Sequence, residues 1–178
     1  MNFNDEAKRA FSLQEYSPAP GIDGVQMVDL KRFHDDGGSL TELGRLQGGL
    51  HAALPGFEVK QVNYSEMDAG VIKAFHLHRR QTDVWFVPPG DKLLLVLVDV
   101  RAQSRTPNVR RRLVLGDGVS RLVRIPPGVA HGVKNLAPTR GRILYFVDTH
   151  FSPAPDASDE GRLPWDFAGA EIWDIVRG

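Results

Sequence analysis

The chain has no cysteine, no net charge and no apolar run long enough to cross a bilayer, and each absence removes a class of protein. Without cysteine there are no disulfides and no thiolate metal sites, which suits a reducing compartment. Lys and Arg total 22, as do Asp and Glu, so a net charge of zero gives no general pull toward nucleic acid or anionic membrane. Any anionic ligand must therefore be met by local arginines and lysines. The longest apolar stretch, LLLVLV from Leu93, is far short of a membrane span. The N-terminus, MNFNDEAKRAF, carries acids where a signal peptide has a basic and then an apolar run. The expectation is a cytoplasmic protein with a small-molecule substrate and neither nucleic-acid nor membrane partners.

What is present reads as β-structure. A chain of 178 residues with 42% hydrophobic content suits a single domain with a sizeable core, 1–178. Within it, 1–23 forms an N-terminal arm with a short helical pattern from Asp5 to Phe11, 24–155 a barrel, and 156–178 a C-terminal segment wrapped on the outside. Short apolar runs such as FEVKQVNYS, DVWFV, KLLLVLVDVR, SRLVRI and RILYFVDTHF are divided by Gly, Pro and Asp turns, the pattern of an all-β sandwich or jelly-roll barrel. Leu43, Leu46, Leu50 and Leu54 have helix-like spacing, but Gly44, Gly48 and Gly49 oppose it, each costing about 1 kcal/mol in a helix interior. The run Arg110 to Arg112 reads as a charged strand edge, and Trp165 and Trp173 as packing residues.

Two stretches look like halves of one site. In GVIKAFHLHRRQTDVWFVPPG, from Gly70 to Gly90, His76 and His78 sit two apart in a strand-like segment and so project from one face. In PPGVAHGVKN, from Pro126 to Asn135, His131 follows a Pro-Pro-Gly turn that fixes where the next strand begins. The spacings of Gly70, His76, His78, Asp83 and Gly90, and of Pro126, Gly128, His131 and Asn135, resemble the two motifs of the cupin superfamily, with Asp83 where glutamate is usual. Both motifs in order are far more specific than a lone His-x-His. The fold they imply is an all-β jelly-roll cupin, a double-stranded β-helix.

Within the cupins, the chain from Gly24 to Ile175 resembles the dTDP-4-dehydrorhamnose 3,5-epimerase family through DDGGSLTE, QVN, KAFHLH, VDVR, IPPGVAHG, LYFVDTHFSP and RLPWD, taken in order. The resemblance implies a substrate that is a nucleotide-linked 4-keto-6-deoxy sugar, no cofactor, and a homodimer. It implies His76 as the base that removes a proton beside the ketone, Tyr145 as the acid on the opposite face, and His131 as a supporting histidine. Lys73, Gln61, Asn63 and Glu42 match substrate-binding positions. Tyrosine suits the acid role because its high pKa keeps it protonated near neutral pH.

Several positions depart from the family's pattern. Its enolate-holding lysine falls near Asp83, an arginine of its first turn becomes Gly37, another arginine becomes Lys73, the glutamine two after the base becomes His78, and its late base-orienting aspartate lies beyond Gly178. The loss of that aspartate weakens His76 as a base unless another carboxylate substitutes. Two of these changes add ligands, so His76, His78, Asp83 and His131 form an alternative site for Fe, Zn, Ni or Mn, serving a metal-dependent dioxygenase or isomerase. The two readings compete for His76, because a histidine coordinated through its lone pair cannot also abstract a proton. A non-catalytic cupin that binds a sugar or metabolite is the third alternative.

Overall fold

The computed structural model describes residues 2–13, 19–154 and 157–176. The parts of the predicted arm at 1 and 14–18, of the barrel at 155, and of the C-terminal segment at 156, 177 and 178, lie outside the described residues. Along the chain the strands are β1 (Gln26–Asp29), β2 (Arg32–Asp35), β3 (Gly38–Thr41), β4 (Leu46–Gln47), β5 (Leu50–His51), β6 (Gln61–Met67) and β7 (Ile72–Leu77). They continue with β8 (Asp83–Phe86), β9 (Lys92–Asp99), β10 (Arg110–Gly116), β11 (Arg121–Ile125), β12 (Val129–Asn135), β13 (Gly141–Val147) and β14 (Gly161–Arg162).

Ten of these strands form two antiparallel five-stranded sheets, in the orders β1-β11-β8-β13-β6 and β10-β9-β12-β7-β14. From β6 onward successive strands alternate between the sheets, apart from the β9–β10 hairpin, which gives the expected jelly roll. The run LLLVLV explains itself here. Leu93, Leu95 and Leu97 face the core between the sheets with Trp85, Ile125 and Ile143. Leu94, Val96 and Val98 face the other way, into a second cluster with Phe75, Ala168 and Trp173. A strand covered on both faces has no polar positions to alternate with. Each such buried side chain stabilises by about 1.5–3 kcal/mol.

The second cluster is closed from outside by a 3-10 turn at Ala170–Trp173, whose Trp173 ring is 1% exposed and lies 5.4 Å from Phe75. Trp165 instead leaves half its surface in solvent. On the first sheet's outer face, Leu54 and Phe57 cover Val84, Phe86 and Leu122. The leucine spacing from Leu43 to Leu54 does not produce a helix: β4 and β5 form a hairpin around Gly48 and Gly49, both at positive φ, the backbone that a two-residue hairpin turn demands. Arg110 to Arg112 do begin an edge strand, and Arg110 and Arg112 donate to the Ala168 and Asp174 carbonyls, tying down the C-terminal segment. The helix Asp5–Ala10 is capped by Asn4, whose side chain accepts from the Ala7 amide, and none of its residues is buried. No helix is long and apolar enough to cross a membrane among the described residues.

Candidate active site

Between the sheets opens a cavity of about 660 Å³, in the range of small-molecule pockets. His76 enters it from β7 in the second sheet, and Tyr145 enters from β13 in the first. Gln61 and Asn63 on β6 and Lys73 on β7 also line it. Glu42 is not a lining residue; it pairs with Arg45 at 3.0 Å on the surface.

Strand periodicity places His76 and His78 on one face, and both reach the cavity. Lys73 is three residues from His76, an odd spacing that puts it on the opposite face of a regular strand. The register resolves this: His131 pairs with His76 and Val133 with Lys73, so β7 carries one residue more than β12 between those pairs. That bulge turns Lys73 inward. Its ammonium donates to the Glu66 carbonyl at 2.7 Å and reaches Ser65 Oγ at 3.4 Å, bridging to the other sheet.

The histidines form two layers. At the cavity wall His76 keeps 26% of its side chain exposed, and its Nε2 accepts from the Arg162 guanidinium at 2.6 Å. With Nε2 as acceptor, the ring proton sits on Nδ1, which faces Glu160 Oε2 at 3.9 Å. Burial, the neighbouring His131 and the Arg162 charge hold the His76 pKa down at about 3. It is therefore neutral, with a lone pair, throughout the ordinary pH range. Tyr145 is pushed above its usual value by burial and then by the charges of Asp83 and Glu160, so it holds its proton.

Below this lies a buried floor. Asp83, 3% exposed, accepts from the Gln81 amide at 2.8 Å and from Trp85 Nε1 at 3.0 Å. His78 Nε2 and His131 Nε2 stand 3.7 and 3.5 Å from its two oxygens, too long for good hydrogen bonds. Burial pushes the Asp83 carboxyl up, but His131, His78 and Gln81 outweigh it and hold it at about 2. Both histidines are oriented from behind: His78 Nδ1 donates to the Asp159 carbonyl at 2.7 Å, and His131 Nδ1 to that of Val129 at 3.0 Å. Their Nε2 atoms then face Asp83. The ligand atoms of His78, Asp83 and His131 lie within 4.8 Å of one another, and buried His131 Nε2 has no hydrogen-bond partner among the described residues.

The last residue of the second motif serves the fold. Asn135 is 1% exposed and donates to the carbonyls of Met67, Asp68 and Thr139, tying β12 to the end of β6. Sequence reasoning missed Glu160 and Arg162. They belong to a segment expected to lie wholly outside the barrel, yet its first residues add β14 to β7, pairing Arg162 with His76. Asp159 braces the same junction, its carboxylate accepting the amides of Arg79, Arg80 and Gln81. The signal available was the pair Asp159 and Glu160 leading into Arg162, the first residue of the RLPWD landmark.

The profile of the family described as dTDP-4-dehydrorhamnose 3,5-epimerase matches residues 20–169. The spore coat polysaccharide biosynthesis protein SpsL of Bacillus subtilis (strain 168) is 41% identical over 145 residues, 82% of this chain and 91% of that protein. Among solved structures, a dTDP sugar isomerase from Desulfovibrio desulfuricans G20 is 26% identical with a TM-score of 0.71, covering 83% of this chain and 88% of that one. A dTDP-4-dehydrorhamnose 3,5-epimerase from Bacillus anthracis str. Ames, with TDP and PPi bound, is 25% identical with a TM-score of 0.70, covering 86% and 87%.

Proposed function

The chain belongs to the dTDP-4-dehydrorhamnose 3,5-epimerase family, and from that premise we propose that it inverts a carbon beside the ketone of a nucleotide-linked 4-keto-6-deoxy sugar, with His76 as base and Tyr145 as acid. One observation carries the residue roles: His76 and Tyr145 reach one cavity from opposite sheets. Inversion needs a proton removed from one face of the carbon and returned to the other, and only groups on facing walls can do this.

His76 Nε2 takes the C–H proton, the C–H electrons form a C=C bond, and the C=O electrons move onto oxygen. Tyr145 then gives its phenolic proton to the opposite face of the carbon, and the oxyanion returns to the ketone. Both groups are in the required state beforehand, the imidazole neutral and the phenol protonated. Glu160 stands where it favours the Nδ1–H tautomer and offsets the cation that forms on His76. His131, with its ring stacked 5.8 Å from His76, packs against the base and orients its ring. Gln61, Asn63 and Lys73 supply polar contacts on the wall. The reaction is proton transfer alone and asks for no redox cofactor. Incubation in deuterium oxide with a nucleotide-linked 4-keto-6-deoxyhexose is the test: deuterium is expected at C3 or C5, and no exchange at either carbon ends the reading.

A second use of the site rests on the orphaned His131 Nε2. His78, Asp83 and His131 fit a transition-metal ion in donor type, in mutual reach and in the carbonyl bonds that orient both imidazoles. In this arrangement the ion supplies charge at the floor and leaves His76 free, so the metal and the base do not compete. Metal analysis after supply of Fe, Zn, Ni and Mn checks it: near-stoichiometric metal lost in His78→Ala supports the site, and a metal-free protein rules it out.

The same proposal takes the chain as one cytoplasmic domain acting as a homodimer. Val62 and Tyr64 leave more than half of their surface exposed on β6, an edge strand, and Leu40 does so on the β2–β3 hairpin. Such apolar side chains on an open edge suit a subunit contact. Sedimentation equilibrium reads the assembly directly.

A further inference from the structure

Removing a proton beside a ketone places a full negative charge on the ketone oxygen, and a buried site must supply a cation or strong donor there. Among the described residues, two cationic side chains other than histidine line the cavity, Lys73 and Arg162. The Lys73 ammonium is engaged by the wall, at 2.7 Å from the Glu66 carbonyl. Arg162 points at the reaction centre itself, its Nη1 2.6 Å from the lone pair of the base. We propose that Arg162 is the catalytic cation, which leaves His76 Nε2 when substrate enters and donates to the ketone oxygen as it becomes the enolate. The inference rests on the epimerase reading above.

Geometry favours this transfer. The ketone oxygen and the acidic C–H sit on adjacent carbons, so a guanidinium in contact with the base is within a small side-chain movement of the oxygen. The planar fork can donate two parallel N–H bonds to an oxyanion, where an ammonium is a single point charge. Arg162 is also placed with little slack. It pairs with His76 across β7 and β14, and the preceding Gly161 lies so close to β7 that an added Cβ would stand 2.4 Å from the Leu77 carbonyl oxygen. Any other residue at 161 pushes β14, and Arg162 with it, away from the base. Until substrate arrives, the same contact keeps the His76 lone pair occupied. Binding of the ketone thus exposes the base and positions the cation in one step.

Arg162→Ala is expected to lower kcat and the rate of solvent deuterium exchange together, by about 100-fold or more, with a smaller change in KM. Arg162→Lys recovers part of the loss, and added guanidinium ion rescues Arg162→Ala but not His76→Asn. A purely structural role would not respond to the ion. Gly161→Ala is expected to show the same kcat deficit with Arg162 still present. If Arg162→Ala does not fold, Arg162→Gln carries the same expectation. Wild-type kcat and exchange in a folded Arg162 variant, or a loss confined to KM, overturns the inference while leaving the epimerase reading intact. Absence of exchange in the wild-type protein overturns both.

Discussion

His76 and His78 lie two residues apart on one face of one strand, yet their surroundings differ in every respect that matters chemically. His76 is a quarter exposed, stands at a cavity wall, and is flanked by Arg162 and Glu160, which belong to a late segment of the chain. His78 is 4% exposed, is oriented by a carbonyl, and faces a buried carboxylate that is already served by Gln81 and Trp85. The difference teaches that a His-x-His pair is not one functional unit. The outer ring has a solvent side and partners from a distant segment; the inner ring is part of a packed, charged floor whose disruption leaves buried donors without partners. Chemistry and architecture are thus divided between neighbouring positions of one motif.

The comparison is broken or sharpened by variants on each side of it. His76→Asn is expected to lower turnover and exchange by about 10³-fold with little change in melting temperature; a large loss of stability would erase the distinction between wall and floor. Asp83→Ala carries the opposite expectation, a stability loss of about 3 kcal/mol in denaturant unfolding, because it leaves the buried Trp85 and Gln81 donors without their acceptor. A variant as stable as the wild type would show that the floor is not a network. Tyr145→Phe is expected to reduce inversion by about 100-fold while deuterium still enters from the His76 face. Equal loss of both would place the tyrosine before, not after, enolate formation.

The pH dependence tests the same division from another side. His76 titrates at about 3 in the folded protein and at its ordinary value near 6.5 when unfolded. Between those values the unfolded chain binds more protons, so stability falls as pH drops from about 6.5 toward about 3. His76→Asn should flatten that part of the stability profile. Asp83 acts in the same direction over a lower window: its stabilisation is present above about 4 and is lost as pH falls toward about 2. For the same reason the acid limb of kcat/KM should lie well below pH 6.5. A limb at 6.5 would mean that burial, His131 and Arg162 do not together hold the base neutral in the free enzyme.

The sequence by itself determined the jelly roll, because alternating and doubly buried strands, turn residues and two ordered motifs are local patterns that survive without coordinates. The shared face of His76 and His78 and the short helix at Asp5–Ala10 follow from the same periodicities. Leu43 to Leu54 shows the limit of periodicity: a 3.6-residue spacing coexisted with two glycines whose positive φ made a hairpin instead. Tertiary structure alone decided three things. The bulge in β7 turned Lys73 inward, which no count along a strand foretells. Burial separated His78 from His76, since burial depends on what packs above a strand. And β14 brought Glu160 and Arg162 to a base more than eighty residues earlier. That contact arises from sheet pairing between distant segments, where affinity lies in backbone hydrogen bonds and in the absence of a Cβ at Gly161, features that leave almost no trace in the order of side chains.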